Sequence, residues 1–187
     1  MHLLPIRLFA ASVALAVLLV APPAFAAFEA AGPAKIVFNA TGSPSFLDIE
    51  GATSDVAVTD DGTSLRFTVW LDTVTTGIEL RDEHMKSKFH QTDRFPTADL
   101  VVSRDGVKWP TELGKAETGT LQAPFTAHGT SETVKVDYTV RKSKAGWNIR
   151  ATFPFDISRH GIEVPSYLGV TVEPAMNADV LIDIVDR

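Results

Sequence analysis

The sequence of 187 residues contains no cysteine, which excludes disulfide bonds, cysteine metal ligands and a cysteine nucleophile. Basic residues are also in the minority, 17 lysines and arginines against 23 aspartates and glutamates, and the formal net charge is −6. An acidic chain of this kind disfavours a nucleic-acid partner and adsorption to an anionic membrane surface. Because disulfides are excluded, stability must come from an apolar core. A chain of this length can build such a core as one domain without cross-links.

Long apolar runs are equally scarce. The run from Leu8 to Val20 is shorter than the roughly 20 residues that a membrane-spanning helix needs. Arg7 precedes it, and Ala24-Phe25-Ala26 follows it as a small-residue cleavage motif. This arrangement is typical of a secretory signal peptide. We predict that residues 1–26 are a signal peptide cleaved after Ala26, and that residues 27–187 form a single exported domain with no membrane span after processing.

Most of the remaining chain alternates apolar and polar residues with a period of two, the pattern of half-buried β-strands. Turn residues separate these segments, and no helical crossovers lie between them. The pattern predicts an all-β sandwich or antiparallel barrel. Eight to ten strands are expected, drawn from residues 35–40, 46–50, 54–59, 64–71, 98–103, 116–125 with an interruption at Pro124, 133–141, 147–155, 168–172 and 178–185, with a loop at 128–131.

One charged stretch, residues 76–89, interrupts the strands. Its spacing predicts a short helix with Ile78, Met85 and Phe89 on one side, because these residues recur at helical intervals. Arg81 falls on the same side, which is unusual for a cation. Asp82 and Lys86 lie one turn apart and are expected to form an exposed ion pair.

Catalytic and metal-binding patterns are weak. His84 and His90 would point to different sides of a continuous helix, and His128 and His160 lie on distant segments. No Ser-based nucleophile motif occurs, and the acidic cluster around Glu83 is typical of a solvated helix face. We predict no catalytic residue, no metal and no enzymatic activity. A metal-dependent or acid/base enzyme that uses His84, His90 or Glu83 remains the alternative.

The alternating apolar faces offer another function. A closed antiparallel barrel of about eight strands is just wide enough to hold a ligand. If these faces point inward, they would line a channel. The same side chains would equally well fill a solid core, and the protein would then be an interaction module. The predicted channel residues are Phe67, Val69, Tyr138, Phe153 and Phe155.

Several motifs resemble those of a known family. Residues 76–87 (TGIELRDEHMKS), followed by Phe95-Pro96-Thr97, resemble the signature of the YceI-like family. Further similar motifs are Gly119-Thr120-Leu121 leading to His128-Gly129-Thr130, and the closing Tyr167-Leu168-Gly169-Val170. The segment before His128, residues 122–127, departs from the plain alternating strand expected in the family.

The resemblance implies a lipocalin-like antiparallel β-barrel. About eight strands are expected in it, and the apolar side of the short helix predicts that this helix lies near one opening. The resemblance also implies a periplasmic protein that holds a polyisoprenoid lipid, such as an isoprenoid quinone, non-covalently and without another cofactor. Storage, transport and stress protection are the roles that we consider. Arg81, Met85 and Phe89 complete the predicted ligand-binding set, with Arg81 buried beside a carboxylate or a ligand head group. A homodimer is the assembly that we consider.

Overall fold

The alternating segments form the strands of one antiparallel sheet. The computed structural model describes residues 27–43, 47–167 and 170–186. The predicted signal peptide lies outside the described residues, as do Phe46 and residues 168–169 of two predicted strands. The strands described are β1 (Phe28–Ala30), β2 (Lys35–Ser43), β3 (Leu47–Thr53), β4 (Val56–Asp60), β5 (Ser64–Trp70), β6 (Thr97–Ser103), β7 (Ala116–Ala127), β8 (Thr130–Lys142), β9 (Gly146–Asp156), β10 (Ser166–Tyr167) and β11 (Val170–Asp186).

The sheet curls into a nearly closed barrel. Its strand order is β3-β2-β11-β9-β8-β7-β6-β5-β4, while the short β1 and β10 both pair with β11. At the seam, β3 is bridged to the segment after β5, where the Ala52 amide donates to the Thr75 carbonyl oxygen at 2.8 Å and the Thr75 amide donates back at 3.0 Å. The predicted all-β, lipocalin-like barrel is thereby confirmed.

The charged stretch forms two consecutive helices over the barrel. The α-helix α1 (Glu79–His84) continues directly into a π-helix (Met85–His90), and together they are called the helical cap, residues 79–90. The predicted short helix is confirmed, although it begins three residues later than Thr76. Short 3-10 helices lie at Leu71–Thr73, Arg104–Gly106 and Ile157–His160. None of the helices described is both long and apolar enough to span a membrane.

The structure differs from the predicted strands at β7. This strand runs through Pro124 to Ala127 without interruption. Its pairing with β6 is confined to Asp99 with Thr126 and Leu100 with Phe125, so Pro124 lies where β7 has no ladder partner on that side. Proline is tolerated at such positions because no ladder hydrogen bond is lost. The loop predicted at residues 128–131 is a turn of only two residues, 128–129, since β8 already begins at Thr130.

The inward faces of the strands form a continuous apolar interior. Val134, Val136, Tyr138 and Val140 of β8 are all buried, with at most 7% of any of them exposed. One half of the interior surrounds Phe125 and Phe153, and the other surrounds Leu65 and Tyr138. Side chains that pack against both halves join them, namely Val56, Phe67, Val107, Leu121, Ala151 and Val180.

Aromatic residues close the end of the barrel opposite the helical cap. Phe28 of β1 lies 5.0 Å from Trp109 and 5.1 Å from Trp147, measured between ring centroids. The Arg104 guanidinium sits over the Phe28 ring at 4.2 Å and contacts Asp60 Oδ2 at 2.8 Å. The same Asp60 oxygen accepts a hydrogen bond from the Phe28 amide. The side chain of Asp60 is fully enclosed. These partners therefore compensate the cost of removing its carboxylate from water.

Replacing Asp60 with alanine should therefore lower the free energy of unfolding by about 3 to 5 kcal/mol, because a buried ion pair loses one partner. Urea denaturation measures this change. Glu112→Ala is the control, since it breaks an ion pair with Lys115 in which both side chains are more than half exposed. That change should stay within about 0.5 kcal/mol. Similar losses in the two variants would contradict the assigned role of Asp60.

Candidate functional site

The described residues enclose two cavities inside the barrel. The upper cavity, beneath the helical cap, has a volume of about 80 Å³. The lower cavity has a volume of about 50 Å³ and an entirely apolar surface. The upper cavity is lined by Phe38, Ile49, Gly51, Leu71, Val74, Thr76, Met85, His90, Ala98, Phe125, Ala127, Phe155, Ile162 and Met176. The lower cavity is lined by Leu65, Phe67, Leu100, Val102, Val107, Trp109, Leu121, Val136, Tyr138, Val140, Ile149, Ala151, Val180 and Ile182.

Strand β9 shows how the cavities are related. Its inward residues Ile149 and Ala151 line the lower cavity, and Phe155 lines the upper one. Phe153, between them on the same face, lines neither cavity and is 3% exposed. Its ring packs 5.2 Å from Phe125 and 6.1 Å from Phe155. The two cavities are therefore separated along β9 by a single aromatic side chain.

The eight predicted ligand-binding residues are distributed over this interior and its cap. Phe67 and Tyr138 line the lower cavity, and Met85 and Phe155 line the upper one. Val69 and Phe153 are buried in the surrounding core. Arg81 and Phe89 belong to the helical cap, are partly buried and line neither cavity. Their role in binding stays a prediction.

Threonine side chains anchor the start of the helical cap. The Asp82 carboxylate accepts hydrogen bonds from the Thr75 hydroxyl, at 2.6 Å, and from the Thr76 amide and hydroxyl. Partial burial tends to raise the pKa of Asp82, but these hydrogen bonds outweigh it and the pKa is lowered from its ordinary value. The expected ion pair with Lys86 is not among the close ion pairs of the described residues.

Arg81 is bound to the same anchor. Its Nε donates to the Thr76 hydroxyl at 2.7 Å and its guanidinium donates to the Thr76 carbonyl oxygen at 2.8 Å. The expectation for Arg81 is burial beside a carboxylate or a ligand head group; its side chain is partly buried and its hydrogen bonds go to Thr76, and contact with a head group stays a prediction. These hydrogen bonds explain how a cation can share the inner side of the helix.

The histidines near the upper cavity are in contrasting environments. His84 is exposed, whereas His90 is largely enclosed and lines the upper cavity. This agrees with the prediction that the two point to different sides. Burial, and secondarily the charge of nearby His128, lowers the pKa of His90 from 6.5 to about 4. His90 is therefore neutral at physiological pH.

Two buried nitrogens in this region lack hydrogen-bond partners within the described structure, His90 Nδ1 and His128 Nε2. His160, by contrast, is 1% exposed and its Nδ1 lies 2.9 Å from the Thr130 carbonyl oxygen. In the part of the chain that the structure describes, no cluster of three or more His, Cys, Asp or Glu side chains is arranged to hold a metal.

A tight turn fixes the position of His128. His128 and Gly129 have φ values of 49° and 75°, the sign pattern of a type I′ hairpin turn. The Phe95 ring lies 4.1 Å from the His128 ring between centroids, and it also covers Gly129, where an added Cβ would lie 2.9 Å from Phe95 Cε1. The Phe-Pro-Thr and His-Gly-Thr motifs thus meet at one point beside the upper cavity.

The fold and the site define a class of protein, a helix-capped antiparallel barrel with an apolar interior. The chain belongs to the YceI-like family, whose domain model matches residues 29–185. A search of curated protein sequences finds no match.

Solved structures share this fold. A polyisoprenoid binding domain from Saccharophagus degradans, implicated in plant cell wall breakdown, aligns with a TM-score of 0.71 at 11% identity, over 87% of this chain and 100% of that one. BcnA from Burkholderia cenocepacia aligns with a TM-score of 0.62 at 17% identity, over 81% and 96%. A YCEI protein from Campylobacter jejuni aligns with a TM-score of 0.52 at 17% identity, over 74% and 85%.

Several cavity residues escaped the sequence prediction. Phe38 lies in the alternating series Ile36, Phe38 and Ala40, so its inward position could have been found from that pattern. Phe125 was hidden because the adjacent Pro124 obscured the alternation of β7. Ile162 lies in an irregular segment, and Met176 follows a register shift in β11. Neither position has a periodic signal.

Gly129→Ala should destabilise the protein more than Gly114→Ala. Both glycines have positive φ, 75° and 80°, so each alanine carries a conformational cost of about 1 kcal/mol. Only Gly129 adds a steric conflict with Phe95, since nothing lies within 4 Å of a Cβ at Gly114. The additional loss should be about 1 to 3 kcal/mol, measured by urea denaturation. Equal losses of stability in the two variants would show that the Phe95 side chain moves aside without an energetic cost.

The lowered pKa of His90 predicts a pH-dependent stability. Between pH 6.5 and about 4 the unfolded chain binds a proton at this residue that the folded protein does not, so stability falls as pH decreases through this range. The contribution lost is about 3 kcal/mol. The free energy of unfolding, plotted against pH over this range, should fall less steeply for His90→Phe than for the wild type. His84→Phe should leave the slope of this plot unchanged. An unchanged slope in His90→Phe would refute the assignment.

Proposed function

We propose that this protein holds a long-chain polyisoprenoid lipid, an isoprenoid quinone or another prenyl derivative, inside the barrel. We further propose that it does so in the periplasm, for storage, transport or stress protection, and without enzymatic activity. Membership of the YceI-like family supports this proposal, as does the shared fold with a solved structure described as a polyisoprenoid binding domain.

The observation that carries the proposal is the apolar face of β9. Its side chains lead from the lower cavity, past Phe153, to the upper cavity beneath the helical cap. A flexible branched hydrocarbon fits such a path better than a rigid polar ligand, because the lower cavity is wholly apolar. Burial of an apolar chain contributes about 25 cal/mol per Å², so binding needs few polar contacts.

Binding requires the interior to rearrange. The cavities of about 80 and 50 Å³ are small compared with ligand pockets of roughly 300 to 1,000 Å³. Rotation of Phe153 would join them, and the thioether chains of Met85 and Met176, which line the upper cavity, adapt readily to a new shape. We propose that the lipid occupies the joined cavity and displaces Phe153.

Organic extraction of the purified exported protein, followed by mass spectrometry, tests the proposal. We expect a prenyl lipid in the extract. Phe67→Gln should lower the amount bound by roughly ten-fold, because a polar amide would face the apolar interior without a partner. Phe67 is suited to this test since it lines the lower cavity and packs against both halves of the core.

The neighbouring Arg66→Gln provides the control, because the Arg66 side chain is 52% exposed on the opposite face of the same strand. It should retain the lipid of the wild type. Circular dichroism of both variants establishes that each is folded. Lipid-free extracts from folded wild-type protein, or equal lipid contents in the two variants, would refute the proposal.

A further inference from the structure

His90 differs from the rest of the upper cavity. Among the described residues that line this cavity, only Thr76 and His90 have polar side chains. The Thr76 hydroxyl is already engaged, since it donates to Asp82 and accepts from Arg81. His90 Nδ1 is buried and has no partner in the described structure. The cavity therefore contains one polar atom whose hydrogen bond is unmade.

A second such atom lies nearby. His128 Nε2 is also buried without a hydrogen-bond partner in the described residues, and His128 is close enough for its charge to act on His90. Ala127, the residue before it, lines the upper cavity. Leaving a buried donor or acceptor unpaired carries the full desolvation cost of that group. His90 lines the upper cavity and His128 follows a residue that lines it, so two such groups at the same end of the barrel indicate a position for a third polar atom.

We propose that His90 and His128 form the polar end of the ligand site and bind one neutral oxygen atom of the lipid head group, the hydroxyl or carbonyl of a prenyl alcohol, quinol or quinone. This inference rests on the proposed function and extends it to the orientation of the lipid. The head lies at the upper cavity and the hydrocarbon chain extends toward the lower cavity.

The surroundings favour a neutral head over a phosphorylated one. A neutral imidazole has one nitrogen that donates and one that accepts, so an uncharged hydroxyl can satisfy both unmade bonds. A phosphate would have to lose its water beside Phe125, Phe155 and Ile162, which line the same cavity, and an unpaired buried charge is strongly unfavourable. Arg81 is bound to Thr76, which leaves its charge outside the cavity lining.

The turn geometry supports the same assignment. His128 has a positive φ of 49°, a conformation that histidine, like asparagine and aspartate, adopts more often than other non-glycine residues. Phe95 packs on its ring, which holds the imidazole in one place. Such a constraint gives a fixed direction to the hydrogen bond that the ring can make, as recognition of a single oxygen atom requires.

Binding of three related probes tests the inference: phytol, its phosphate ester, and phytane, which has the same branched skeleton without oxygen. Delipidated full-length mature protein is titrated with each probe against a fluorescent apolar reporter. We expect the wild type to bind phytol roughly ten-fold more tightly than phytane, and phytyl phosphate more weakly than phytol. His90→Phe keeps the ring and should abolish the preference of phytol over phytane.

The matched control is His84→Phe, which removes an exposed histidine of the same helical cap and should keep the preference. His128→Asn retains a residue suited to positive φ and should weaken the preference as His90→Phe does. If folded His90→Phe keeps an unchanged preference of phytol over phytane, His90 makes no hydrogen bond to the head group and the inference is wrong.

The remaining outcomes separate the inference from the function on which it rests. Wild-type protein that binds phytol and phytane equally overturns the head-group site and leaves the lipid-binding function intact. Wild-type protein that binds none of the three probes overturns both. Stoichiometric zinc that is lost in His90→Phe would also overturn the inference, by assigning the two nitrogens to a metal.

Discussion

A single sheet that closes on itself has no second layer to cover its inner face, and this constraint governs the rest of the molecule. Every second side chain of each strand points into the barrel, so these side chains must supply the whole core. The chain has no cysteine to compensate for poor packing. Its inward positions are accordingly large and apolar, and β8 contributes four consecutive inward residues that are almost fully buried.

The two ends of the barrel are closed in different ways. At the lower end, Phe28, Trp109 and Trp147 pack together, and the enclosed ion pair of Asp60 with Arg104 holds them. At the upper end, the helical cap is anchored by Thr75 and Thr76 and brings Met85 and His90 over the cavity. The lower closure is aromatic, whereas the upper one contains a thioether and polar side chains. This asymmetry is consistent with a ligand whose polar end lies beneath the cap.

Alternation predicted the interior well because it depends only on neighbouring residues. Phe67, Tyr138 and Phe155 were placed inside on that basis, and all three line cavities. The alternation failed where a strand is too short to show a period, as in β1, or where a proline interrupts it, as in β7. It also gave no information on Arg81, whose partner Thr76 lies just outside the helix.

The sequence by itself determined the class of fold, the inward faces and the position of the helix, because each follows from local periodicity and turn residues. The family motifs also marked the segments around His90 and His128. Only the tertiary structure decided what those segments do together, since residues distant in sequence meet at the upper cavity. Burial, which no local pattern reports, left His90 Nδ1 and His128 Nε2 without partners and keeps His90 uncharged. These properties depend on packing from several strands at once, and for that reason they cannot be found from spacing in the chain.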